Sequence, residues 1–338
     1  MTKQHGGFPR RGRGRQSLES ESIYQKQLKD FCEEITEIDS GLDFKVSSRG
    51  WAYILENHGR ITKGDFDAAQ RLINQCRKDG LLPLDICSED DGRHAENVED
   101  IDNETPTEFA ESWVAHLYRA HHHFTPCSFW DDLDIYLEMT VEKVDLKSLF
   151  APVCEPFRIA ITNVSGWNDI NSRAAIMRRF AHWESKGKRC VLLHCGDHDP
   201  GGLQIADFLR SNMADLARAV GWGPDNLTIE RFGLNADFIE QHGLTWIENL
   251  ETSSGGRLDD PRHPDHRKSY VQSYLRQYGA RKVEANALVV RPQAGRDLCR
   301  RAILRHLPRT AIVQYERKLD GFRELARAEI ARVLEQMR

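Results

Sequence analysis

The stretch RCVLLHCGDHDPGG, residues 189–202, decides the fold. Residues 189–195 are apolar enough for a strand buried on both faces of a sheet. That strand runs through Gly196 into Asp197 and Asp199, an Asp-x-Asp that puts two carboxylates within reach of one hard cation. Pro200, Gly201 and Gly202 then turn the chain into a helix. The N-terminus of such a helix favours an anionic phosphate nearby.

The pattern repeats on either side. Residues 133–141 (LDIYLEMTV) alternate strictly, with Leu133, Ile135, Leu137, Met139 and Val141 on one face, and this predicts a strand that ends at Glu142 and Lys143. A further strand is expected over 157–164 (FRIAITNV). Helical patterns cover 169–185 and 202–219, the latter with Leu203, Ala206, Leu209, Met213 and Leu216 inward. Strands alternating with helices imply an α/β fold with a mostly parallel sheet, and in such sheets sites form at the carboxyl ends of the strands. Two of those ends carry acids. Magnesium, or manganese in its place, takes one or two protein carboxylates plus phosphate oxygens, so Glu142, Asp197 and Asp199 suit a site that grips a phosphodiester. Glu142 is either a further ligand or the acid/base that manages protons at the reacting oxygens. Lys143 offsets charge or touches phosphate, unless it is simply solvated.

Ahead of this half lies a smaller helical region. Residues 48–57 (SRGWAYILEN) read as a short helix with Trp51, Ile54 and Leu55 on one face. At 100° per residue Tyr53 falls opposite that cluster, beside Arg49, so its hydroxyl is expected to point outward. Thr62 and Asp65 form a capping-box-like pair before a helix that runs to about Asp79 and stops at Gly80. Its inner stripe is Phe66, Ala69, Ile73 and Cys76, and Arg71, Asn74 and Lys78 repeat on the outer side. Residues 80–93 (GLLPLDICSEDDGR) then suit a β-hairpin wing. Helix, turn, helix and wing is how winged helix-turn-helix modules reach DNA, which makes Arg71, Asn74 and Lys78 candidate DNA contacts. The plain alternative is an ordinary solvated helix face.

A chain of 338 residues is long enough for two modest domains. The expected division is a basic disordered arm over 1–18, a winged-helix domain over 19–84, an acidic linker over 85–112, and an α/β domain with a C-terminal helical extension over 113–338. The net charge of −5 says little about nucleic acid, because its distribution matters more. Residues 3–15 hold Lys3, Arg10, Arg11, Arg13 and Arg15 with no acid, which suits an arm along a phosphate backbone or a solubilising tail. No apolar run approaches the length of a membrane helix, so a cytoplasmic, nucleoid-associated protein without a membrane partner is expected. The eight cysteines include no CxxC pair, against a zinc ribbon. The run His121, His122, His123 points its side chains in different directions, so at most two of them can share a metal, and solvated or packing roles suit them better. His198 is expected to turn away from its two aspartates, and Trp130, Trp167 and Trp246 to be core or rim residues.

Glu142 at a strand end, the turn Gly166-Trp167-Asn168, and GDHDPGG at 196–202 together resemble the pattern of a Toprim domain. More narrowly, the chain from about residue 45 onward resembles the A subunit of type IIB topoisomerases, the related meiotic double-strand-break proteins, and bacterial and phage proteins of that design. RFGLN (231–235) and KVEANAL (282–288) resemble segments that follow the Toprim domain there, with Glu284 on a recurrent acid that is either metal-proximal or a salt-bridge partner. The resemblance implies a winged-helix domain with a catalytic tyrosine in an Arg-x-x-Tyr-Tyr-like helix. Here Arg49 is kept, Ala52 stands at the first tyrosine and Tyr53 at the second. It further implies Mg2+-dependent DNA strand cleavage by Tyr53 through a covalent DNA–tyrosine intermediate. In that family the tyrosine of one protomer works with the metal site of its partner, which implies a homodimer. The alternatives are a hydrolytic Toprim nuclease, a subunit inert until an ATPase or accessory partner assembles it, and a DNA-binding protein without turnover.

Overall fold

The structure, a computed structural model, describes residues 8–12, 16–88, 99, 101, 103–164, 170–252 and 256–336. Helices α1 (Leu18–Ser40), α2 (Ser48–Asn57), α3 (Phe66–Lys78) and α4 (Pro106–Arg119) precede the first strand, β1 (Ile135–Val141). Next come α5 (Val144–Cys154), β2 (Ala160–Asn163), α6 (Ile170–Ser185) and β3 (Arg189–Cys195). The short helices α7 (Pro200–Leu203), α8 (Ile205–Ala214) and α9 (Ala217–Val220) lead to β4 (Thr228–Gly233). Helices α10 (Ala236–Gln241), α11 (Ser269–Tyr278), α12 (Pro292–Leu304) and α13 (Ala311–Gln336) complete the chain, with a 3-10 segment, Ala285–Val290, ahead of α12.

The protein is mixed α/β, with a four-stranded sheet in the order β2-β1-β3-β4 and every pairing parallel. Strand β1 turns out buried along its whole length, where strict alternation suggested one buried face. Its second face is covered too. Glu138 there accepts from Nε and Nη2 of Arg179 on α6 (2.7 and 2.8 Å) and from the Tyr136 hydroxyl (2.8 Å). On the other face Met139 meets Cys154 of α5 and Cys299 of α12. A parallel sheet sandwiched in this way keeps water from its backbone, and only the strand ends stay open for chemistry.

Register sets those ends level. Val141 pairs with Cys195, so Glu142 and Gly196 leave the sheet side by side, and the Glu142 N–H donates to the Cys195 carbonyl (3.1 Å). The pairing of β3 with β4 shifts between His194 and Cys195, which lets the Gly196 N–H reach the Gly233 carbonyl (2.9 Å).

Several expectations need correction. The strand at 157–164 shrinks to Ala160–Asn163, because Pro156 opens a 3-10 turn over Glu155–Phe157 and Arg158 takes a left-handed φ of 53°. The helix expected over 202–219 is three pieces, since the chain tightens to i−3 hydrogen bonds at Gln204 and Leu216. No strand forms at the expected wing among the described residues. Leu84–Ile86 is a 3-10 turn, set by Pro83 and by Arg77, whose guanidinium donates to the Leu84 carbonyl (2.9 and 2.6 Å). The rest of that expected wing, 89–93, lies outside the described residues. The acidic linker gives way to helix at Pro106, where Thr105 and Glu108 form a capping box, so residue 112 lies inside α4.

The basic arm is not free where it is described. Arg10 pairs with Asp65 (2.6 Å), Arg11 with Glu21 (2.7 Å), and Phe8 meets Phe31 edge-on. Among the described residues no helix is long and apolar enough to cross a membrane.

Candidate functional site

Three elements from distant parts of the chain meet at the carboxyl ends of β1 and β3: those strand ends, α2, and the segment 282–290. Helix α2 spans Ser48–Asn57 as its pattern predicts, capped by the Ser47 hydroxyl on the Gly50 N–H (3.1 Å). The 3-10 segment Ala285–Val290 covers the side of α2 that helical spacing marks as outer. Tyr53 is therefore buried, at 1% exposure, and the outward orientation expected for it is wrong. Its hydroxyl donates to Glu284 Oε2 (2.9 Å), and Arg49 grips the same carboxylate through Nε and Nη2 (3.2 and 3.0 Å). Phe66 packs edge-on against the Tyr53 ring, and the Lys63 ammonium lies 4.0 Å from the ring centre while pairing with Glu56 (3.2 Å). Burial pushes the phenol pKa up, and the charge of Glu284 pushes it further. Burial would raise Glu284 as well, but Arg49 and the Tyr53 hydroxyl hold it below the usual carboxylate range.

The acids lie one residue further along. The Ala285 N–H donates to Asp197 Oδ1 (2.7 Å), the Asp197 N–H to Glu142 Oε2 (2.8 Å), and the Gly202 N–H to Asp199 Oδ1 (2.6 Å). Each carboxylate thus has one oxygen pinned by a backbone donor. Asp197 Oδ2 and Glu142 Oε1 are both held by Lys143, whose ammonium lies 3.0 Å from the first and 2.9 Å from the second. Burial and the neighbouring Glu142 raise the Asp197 pKa, with Lys143 opposing. Against burial, Lys143 and the Asp197 N–H hold Glu142 low. Asp199, the N-cap of α7, is raised by burial.

Two glycines leave the room this crowding needs. A Cβ on Gly202 would collide with the Asp197 carbonyl oxygen. One on Gly196 would stand 2.7 Å from both Glu142 Oε2 and His194 Nε2. That imidazole nitrogen is buried without a hydrogen-bond partner among the described residues, while Nδ1 meets the Thr140 hydroxyl (3.0 Å).

No group of three or more His, Cys, Asp or Glu side chains among the described residues is arranged to hold a metal ion. The donors nevertheless suit a hard cation: carboxylate oxygens with one lone-pair side pinned, an ammonium standing between two of them, and an orphaned nitrogen beneath. Glu142, Asp197 and Asp199 are the residues that would hold it.

The remaining candidates lie elsewhere. Arg71 and Lys78 are exposed on α3, and Asn74 accepts from Arg77 (3.2 Å); no hydrogen bond or ion pair joins any of the three to the acids. His121 is buried with Nδ1 at the Tyr118 carbonyl (3.1 Å), and its ring lies 4.0 Å from that of His122. His198 turns away from its flanking aspartates to Tyr274 (3.1 Å) and the rings of Trp246 and Tyr278. Trp130 is in the core, and Gly166, Trp167 and Asn168 lie outside the described residues.

Sequence reading missed Asp145, fully buried, which accepts from the Ser47 N–H and hydroxyl and from Asn286 Nδ2 (2.7 Å). It ties α5, the start of α2 and the 3-10 segment together. It missed Lys63, and Arg231, which donates to the Asp197 carbonyl (3.1 Å). Nothing local marks Asp145 or the contact of Arg231 with Asp197, because those partners lie tens to hundreds of positions away. Comparison with protein-family models, with curated proteins and with solved structures finds no match for this chain.

Proposed function

We propose that this chain cleaves DNA strands, with Tyr53 and Arg49 on one side of the reacting phosphate and a Mg2+ or Mn2+ ion held by Glu142, Asp197 and Asp199 on the other. In this reading the helical N-terminal region is a winged-helix-like DNA-binding unit that presents Arg71, Asn74 and Lys78 to the duplex. The α/β region is a Toprim-like domain, and the protein acts as a homodimer. One observation carries the reading: Tyr53 and the acids, 144 positions apart between Tyr53 and Asp197, join in a single relay through Glu284 and the next residue's N–H. A phenol hydrogen-bonded to a carboxylate, with Arg49 and Lys63 beside it, has an acceptor in place for its proton once the burial that raises its pKa is relieved. The Tyr53 oxygen attacks phosphorus, its proton passes to Glu284, and the deoxyribose oxygen departs and takes a proton from water. A divalent cation, if held by Glu142, Asp197 and Asp199, would supply charge stabilisation at the phosphate oxygens.

The burial of Tyr53 favours a second reading, in which DNA or a partner protein such as an ATPase must open the clasp before the tyrosine acts, or in which water attacks instead and the protein is a hydrolytic nuclease. Incubation with supercoiled plasmid and Mg2+ or Mn2+, quenched with detergent, tests both. Breaks with protein-linked ends, lost in Tyr53→Phe and in Asp197→Ala, are expected. Free-ended breaks that survive Tyr53→Phe but not Asp197→Ala establish hydrolysis. Intact plasmid with wild type under all conditions removes the autonomous-enzyme reading.

A further inference from the structure

The acid cluster divides its oxygens into two kinds. Glu142 Oε2, Asp197 Oδ1 and Asp199 Oδ1 are held by main-chain N–H groups, which fix how the carboxylates face. Glu142 Oε1 and Asp197 Oδ2 converge instead on one ammonium, that of Lys143. Asp199 Oδ2 takes no hydrogen bond among the described residues. The two kinds differ in permanence. A main-chain donor moves only with the fold, whereas a lysine is a point charge on a flexible four-carbon stem. Lys143 and Glu142 are 27% and 29% exposed against 9% for Asp197, so the cluster opens to solvent on the side where the ammonium stands.

We propose that Lys143 is a resident counter-ion, which occupies the cation position in the metal-free protein and swings out when a divalent ion binds Glu142 and Asp197. The inference rests on the reading of those acids as a divalent-cation site and adds a competitor to it. Two like charges this close need a positive charge between them, and Lys143 supplies it when no metal does. The protein then folds with its carboxylates already aimed, and the metal exchanges for a charge already in place. A lysine suits the task where arginine would not, because the planar fork of arginine would lock both oxygens at once.

The experiment uses the full chain and needs no substrate. Lys143 is acetylated with a water-soluble amine reagent with and without saturating Mn2+, and its modification is read by peptide mass spectrometry. In parallel, Mn2+ binding to wild type, Lys143→Gln and Asp197→Asn is measured from the electron paramagnetic resonance signal of the free ion. Faster labelling of Lys143 in the presence of Mn2+ is expected, with Mn2+ binding roughly tenfold tighter to Lys143→Gln than to wild type. Binding to Asp197→Asn should be lost. Labelling that is unchanged or slower while wild type binds Mn2+ overturns the displacement and leaves the metal site standing. Equal or weaker binding by Lys143→Gln does the same, and makes Lys143 a supporting group. Absence of Mn2+ binding in folded wild type and folded Lys143→Gln alike overturns the metal site and the displacement together. The labelling arm uses wild type alone, so it decides the matter even where the variants fail to fold.

Discussion

Two cations close on carboxylates in this molecule, and they do it differently. Arg49 holds Glu284 with a planar fork at the junction of α2 and segment 282–290, with Tyr53 locked into the same carboxylate. Lys143 holds Glu142 and Asp197 with a single ammonium at the rim of the strand ends. The first closure spans 235 positions of sequence and fastens two parts of the fold. The second joins a residue to its own neighbour and to the end of the adjacent strand. A fork with a shared hydroxyl suits permanence, and a lone ammonium on a flexible stem suits exchange.

The contrast is sharpest in stability. Glu284→Ala leaves the Arg49 guanidinium and the Tyr53 hydroxyl without their shared acceptor; discounted for the partial exposure of Arg49, the loss should be about 2 kcal/mol by denaturant unfolding. Tyr53→Phe removes one hydrogen bond but leaves Arg49 on Glu284, so about 1 kcal/mol is expected in the same assay. Mild acid acts on the strand-end side. Burial holds the His198 imidazole down at about 4, against an ordinary 6.5. As pH falls below 6.5 the unfolded chain takes up a proton that the folded one refuses, so stability declines with acid through that window. Between pH 7 and 6 this amounts to less than about 1 kcal/mol, and His198→Gln should flatten that part of the profile. Lys143→Gln should cost least, about 0.5 kcal/mol, because Asp197 can take a proton in place of the lost charge. A loss as large as that of Glu284→Ala would erase the distinction between the two closures.

What could be read along the chain was whatever its neighbours determine. Strand β3, helix α2 and the inner stripe of α3 stand where expected, because apolar run, capping serine and helical spacing are local signals. The parallel sheet followed from the alternation of elements. Tyr53 shows where that reasoning stops: the helical wheel put it opposite Trp51, Ile54 and Leu55, but segment 285–290 covers that side too. A helix buried all round has no outer face, and the sequence of the helix alone does not say so. Glu142, Asp197 and Asp199 were legible because strand ends are, whereas the grip of Lys143 on two of them needed the register of β1 against β3. Over its described part, 80–88, the wing expected after α3 is a 3-10 turn where a strand was expected, set by Pro83 and by Arg77, which captures the Leu84 carbonyl.

The 3-10 segment has a consequence for the order in which the protein is made. Tyr53 awaits Glu284, Asp197 awaits the Ala285 N–H, and Asp145 awaits Asn286. All three partners leave the ribosome consecutively, long after both the tyrosine and the acids have emerged. The nascent chain can build its sheet and its N-terminal helices early, since those depend on nearer contacts. Ser47 and Asp145 can already join α2 to α5, but the relay between phenol and acids closes only when this one short passage is translated, late in synthesis.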